Sequence, residues 1–140
     1  MKPVVKNVLA VVVGVVASSV VNMSLVTIGP MVIPLPEGAD VSTTEAMAES
    51  MKLFTPINFL FPFLAHALGT LVGAFLAAKI AGSHRIAMAL VIGAFSLFGG
   101  IMAVRMFPGP LWFEAADLIL AYIPMSYLGA VLAGATKPAD

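Results

Sequence analysis

Cysteine is absent, which excludes disulfides and thiolate metal sites. Charge is nearly as scarce. Seven Lys and Arg balance seven Asp and Glu, and together they make up 10% of the 140 residues, against about 25% in a soluble domain. With a formal net charge of zero and no basic block, the chain lacks the electrostatic footprint of a nucleic-acid binder. Its two histidines, His66 and His84, cannot build a three-ligand metal centre without other donors. There is no glycine-rich phosphate loop, and no serine stands beside a plausible base. No cofactor and no metal are therefore expected, and the chain reads as non-enzymatic.

What is present is apolar length. Hydrophobic residues make up 61% of the chain. Asp, Glu, Lys and Arg are missing from 7–36, 53–78, 86–104 and 118–136, stretches of 30, 26, 19 and 19 residues. About 20 apolar residues carry a helix across roughly 30 Å of hydrocarbon. The pattern predicts an all-α polytopic membrane protein. It should form a single four-helix transmembrane bundle over 1–140, with spans at about 6–28, 56–80, 84–106 and 110–134. A cleaved signal peptide is the competing reading of the start, with Lys2 and Lys6 as the basic region and Ala17-Ser18-Ser19 as the cleavage site. The apolar run continues to Ile33, about twice the length of a signal core, which argues for a retained span.

Cations set the expected orientation. With the N-terminus in the cytoplasm, Lys2, Lys6, Lys79, Arg85 and Lys137 lie inside and only Lys52 and Arg105 outside, as the positive-inside rule requires. Both termini are then cytoplasmic. The long first outer loop begins irregularly at Pro34, Pro36 and Gly38. Ser42-Thr43-Thr44-Glu45 reads as a capping box opening a short interfacial helix, with Met47, Met51 and Phe54 on one face. Thr55-Pro56 reads as a cap and first helical position for the second span, and Ser83 as the cap of the third. Pro124 should kink the fourth.

Polar groups inside a membrane are costly and mark candidate sites. Asn22, Asn58, His66, Arg105, Glu114 and Asp117 fall in the outer half by position along their spans, whereas the inner half has almost none. Arg105 and Glu114 flank the turn 107–110 about equally and are expected to pair. Histidine is the side chain that most readily changes charge near neutral pH, so His66 could exchange a proton with a carboxylate such as Asp117. Pro62 should kink the second span and free the carbonyl of Asn58. Tyr122 and Tyr127 are candidate polar partners within the bundle. Gly14 lines one face of the first span with Ser18 and Asn22. Gly69, Gly73 and Gly129 mark further close-packing faces, within one chain or between subunits. The stretch 71–77 also resembles 127–133 at an offset of 56 residues, as a duplication would.

The run Phe61-Pro62-Phe63-Leu64-Ala65-His66-Ala67-Leu68-Gly69-Thr70 resembles a group of small four-span bacterial membrane proteins with no assigned activity. Pro110-Leu111-Trp112-Phe113 and Ala121-Tyr122-Ile123-Pro124-Met125 carry the same resemblance. It implies a bacterial inner membrane and four helices. Small multidrug exporters carry a glutamate midway in their first helix, which this chain lacks, and fluoride channels share only Gly69-Thr70. Membrane lipid, a partner membrane protein or a second copy is the expected binding partner. A small transporter or channel using the outer-half polar cluster is the alternative.

Overall fold

The structure, a computed structural model, describes residues 1–137; the last three residues of the expected domain lie outside the described residues. Six α-helices follow one another: α1 (Pro3–Val32), α2 (Thr44–Ser50), α3 (Leu60–Ile80), α4 (Arg85–Met106), α5 (Leu111–Leu120) and α6 (Ile123–Leu132). Short 3-10 segments at Met51–Leu53 and Pro56–Phe59 join α2 to α3. There is no strand among the described residues. Four stretches are long and apolar enough to cross a membrane: Pro3–Val32, Pro56–Ile80, Arg85–Met106 and Leu111–Leu132.

The first helix runs beyond the expected 6–28 at both ends. Pro3 stands in its first turn, where a missing N–H leaves nothing unpaired. Pro30 falls in the last turn, and the helix still closes with Ile33 N–H donating to Gly29 O at 2.8 Å. α2 is capped one residue later than the spacing suggests. Thr43 is extended and its Oγ1 accepts from Ala46 N–H at 3.1 Å, while Ser42 N–H is held by Asp40 Oδ1 at 2.9 Å. The third span opens from His84, not from a Ser83 cap. His84 adopts the left-handed region at φ 48°, and Ser83 Oγ accepts from Asn7 Nδ2 at 3.0 Å. Pro62 makes no mid-helix kink, because it lies in the first turn of α3 just after the 3-10 segment. The kink expected at Pro124 is a full break: α5 ends, Ala121 and Tyr122 turn, and α6 resumes with the proline in its first turn.

Helix α3 is central, lying against α1, α4, α5 and α6. The packing inverts the order of a water-soluble protein. Ala10, Ala74, Ala77, Ala78, Ala89, Ala130 and Ala133 form the main buried cluster around Ile92. Large apolar residues face outward on every long helix, including Val20, Met23, Phe95, Phe98, Ile119 and Leu132. Small residues inside allow close backbone approach. A methyl carbon on Gly73 would stand 2.5 Å from Gly14 O, on Gly69 2.9 Å from Ser18 O, and on Gly129 2.7 Å from Leu71 O. All four glycines singled out by spacing thus pack helices of the same chain. The two copies of the repeated segment pack differently, Gly73 on α1 and Gly129 on α3.

One end of the helices is tied by polar staples. Arg85 Nε donates to Ala78 O at 2.8 Å, Nη2 to Ala133 O at 2.7 Å and Nη1 to Gly134 O at 3.2 Å. These carbonyls lie at the C-terminal ends of α3 and α6, where the last helical carbonyls have no partner within their own helix. Asn7 Oδ1 accepts from Gly82 and Ser83 N–H, which fixes the start of α1 to the α3–α4 turn. Lys2, Lys6, Lys79 and Lys137 belong to this same end, by their places in the alternating helices.

Candidate functional site

His66 is the eleventh residue of the stretch Pro56–Ile80 and therefore lies toward the middle of the helical layer. Asp117 is two turns into α5, and its side chain is 3% exposed. The two meet: His66 Nδ1 is 2.8 Å from Asp117 Oδ1. Tyr122 donates its hydroxyl to Asp117 Oδ2, also at 2.8 Å. The α5–α6 break turns Tyr122 back toward Asp117, and its ring stacks on the His66 imidazole at 5.7 Å between centroids. Gly100 on α4 faces the same hydroxyl, where a larger residue would collide with it. Both carboxylate oxygens of Asp117 are thus engaged. Toward an ionised carboxylate, which only accepts, His66 Nδ1 is the donor, and Nε2 is then the ring's free acceptor. Nε2 makes no hydrogen bond among the described residues.

Beside this chain of three residues lies a cleft of about 260 Å³ between α1, α3 and α4. His66, Thr70, Ser18, Asn22, Ser96 and Tyr122 supply its polar wall. Thr70 Oγ1 is the one buried side-chain polar atom without a hydrogen-bond partner among the described residues. A second cavity of about 220 Å³ adjoins it toward the loop between α1 and α3 and shares His66, Gly100 and Ala103 with the first. Met47 and Met51 line it, as do Glu114 and Asp117. The methionine face of the α2 segment therefore packs over the route to His66 from that end.

Not every polar residue expected in the outer half joins the site. Arg105 is exposed and forms no ion pair with Glu114 among the described residues. Glu114 Oε1 instead accepts from Gly109 N–H at 2.9 Å, a local bond that closes the turn. Asn58 also works locally. Its Oδ1 accepts from the Thr55 backbone and hydroxyl, and its Nδ2 donates to Pro34 O at 3.2 Å. Tyr127 is exposed rather than a partner in the interior. Asn22 does line the cleft. Ser96 was not singled out by sequence; only its level with Ser18 and Thr70, midway along their helices, could have suggested it. No group of three or more His, Asp or Glu that could hold a metal occurs among the described residues.

No family model matches the chain, and no curated protein or solved structure does.

Proposed function

We propose that the chain is a four-span protein of the bacterial cytoplasmic membrane that binds a small ligand, without transforming it, in the cleft beside His66. The observation that carries this reading is the His66–Asp117–Tyr122 chain, which holds His66 in the cleft wall by its Nδ1 and leaves the other ring nitrogen without a hydrogen bond among the described residues. A ligand donor can bond to that nitrogen, and a proton on it forms an ion pair with Asp117, so occupancy becomes linked to protonation. The titratable groups near His66 are Asp117, Tyr122 and, across the second cavity, Glu114; the residues that α1 and α4 contribute to the cleft carry none.

Membrane insertion is supported by four long apolar stretches, large apolar residues outside and small ones inside. Five cations at the Arg85 end, against Lys52 and Arg105 at the other, support cytoplasmic termini. Self-association or docking of a partner helix is less well supported, because the packing glycines already face helices of this chain. Transport is the second reading, favoured by the cavity that reaches His66 from the outer-loop end.

The test is native mass spectrometry of protein gently extracted from its own membrane, comparing the native chain with His66→Ala. A bound small molecule that is lost in the variant supports the reading. The same bound mass on both proteins, or none on either, refutes it. Proton-coupled uptake in proteoliposomes that depends on His66 would select transport.

A further inference from the structure

Resting on the reading of the cleft as a ligand site, we propose that its ligand is a neutral amphiphile with a hydroxyl head, and that it enters sideways from the lipid. Three observations lead there. The first is the wall. Hydroxyls, an amide and an imidazole face the cleft, and Asp117 is committed on both oxygens behind His66. Nothing is left to compensate a full charge, and a desolvated charge without a partner is strongly disfavoured.

The second is Thr70. It lines the cleft from a residue only 1% exposed, and its hydroxyl, closed off from solvent in this rotamer, is unpartnered. Buried polar atoms are almost always bonded, so this one calls for a partner on the ligand. With the Nδ1–H tautomer held by Asp117, His66 Nε2 accepts, and it needs a donor. A hydroxyl head meets both needs by donating to Nε2 and, once the Thr70 side chain turns toward the cleft, accepting from its Oγ1.

The third is the opening. α1 and α4 touch where Gly14 meets Ile92. Farther along, the cleft's rim is formed by the exposed residues Ser19, Phe95 and Gly99. Gly99 has nothing within 4 Å of the position its Cβ would take. The flanking surface is apolar, with Val20, Met23 and Phe98 each more than half exposed. Such a doorway at mid-helix faces hydrocarbon, whereas the outer-loop route runs beneath Met47 and Met51. The cleft has room for about nine waters at roughly 30 Å³ each. That suits a head group, and the apolar chain would remain in the lipid beside Phe95.

The experiment measures equilibrium binding to the full chain in nanodiscs. Two labelled probes, dioctanoylglycerol and nonylphenol, distinguish an aliphatic from an aromatic hydroxyl head. At least one should bind saturably. Thr70→Val should weaken it about tenfold, the effect of one lost hydrogen bond, while Thr70→Ser retains it. Val should leave folding stability unchanged or raised, since it removes an unpartnered hydroxyl. Gly99→Leu, whose side chain enters open space, should block binding by filling the doorway. Unchanged amphiphile binding in Gly99→Leu overturns lateral entry. If ammonium, acetate or glycerol binds in a His66-dependent way and neither amphiphile does, the ligand class is wrong and the site stands. If no probe binds and the natively extracted protein carries no His66-dependent mass, the site reading falls with it.

Discussion

Replacing Gly73 by Ala tests whether the glycines set the distance between α1 and α3. The added carbon would stand 2.5 Å from Gly14 O and 2.8 Å from Ser18 Cβ, where ordinary contact begins at 3.4 Å. Its nearest neighbour is backbone, so no rotamer change relieves it. The helices must separate by several tenths of an ångström, and the Gly69 approach to Ser18 O at 2.9 Å opens with it. A gap of 0.5–1 Å forfeits about a quarter to a half of each contact well of roughly 0.1–0.2 kcal/mol. Over a few tens of atom pairs that amounts to about 1–2 kcal/mol, within the usual 1–3 kcal/mol for overpacking. Gly99→Ala is the control, because its methyl meets nothing within 4 Å. Reversible unfolding in mixed detergent micelles should show Gly73→Ala destabilised by about 1–3 kcal/mol and Gly99→Ala unchanged or slightly stabilised. Equal stability of Gly73→Ala and the native chain would refute the packing argument.

Asp117→Ala should destabilise more than Tyr122→Phe in the same assay. The first strands a hydroxyl and an imidazole, at about 1–3 kcal/mol for each unsatisfied group, whereas the second removes one donor and leaves Asp117 its bond to His66. Arg85→Lys should cost about 1–3 kcal/mol although the charge is kept, since one ammonium cannot reproduce a fork reaching three carbonyls of two helix ends; stability equal to the native chain would assign Arg85 to topology alone. In the loop between α1 and α2, bonding by Ser42, first through its side chain and then its backbone, holds the Asp40 carboxyl below the usual carboxylate range. The folded value is depressed, so the contribution is present above the unfolded pKa and is lost as pH falls through the folded one. Hydrogen exchange at the Ser42 amide, corrected for intrinsic rate, should lose protection in that acid range in the native chain but show no such step in Asp40→Asn.

The four long apolar helices were legible because charge avoidance is a one-dimensional signal, and 7–36, 53–78, 86–104 and 118–136 carry it without interruption. His66 and Asp117 were legible as candidates because both fall at similar depth along their spans. Their contact needed the fold, as did the engagement of both Asp117 oxygens. Depth misled for Arg105, Glu114 and Asn58. Near a turn, backbone N–H and C=O groups stand free and close, and they capture a polar side chain before a distant partner can. Arg85 read only as a topological charge, because the α6 end it staples is 48 residues away in sequence. Glycine spacing showed that close approach occurs but not to what, since neighbours in one chain and neighbours in an oligomer use the same pattern.

The two ends of the helices differ for a physical reason that also locates the site. Near the Arg85 end, Gly14 and Gly73 bring α1 against α3, alanines fill the space around Ile92, and Arg85 and Asn7 close the helix ends. Toward the opposite end, α4 carries Ser96, Gly99 and Gly100 where its first turns carry Ala89 and Ile92, and α1 carries Ser18 and Asn22. Small polar residues there leave a gap between α1 and α4 that no large side chain fills. The break before Pro124 then releases Tyr122 from the helical path, so that it completes the bonds of Asp117. The cleft wall holds an imidazole nitrogen without a hydrogen bond and a buried threonine hydroxyl without a partner, and the proposed hydroxyl head entering beside Gly99 would bond to both.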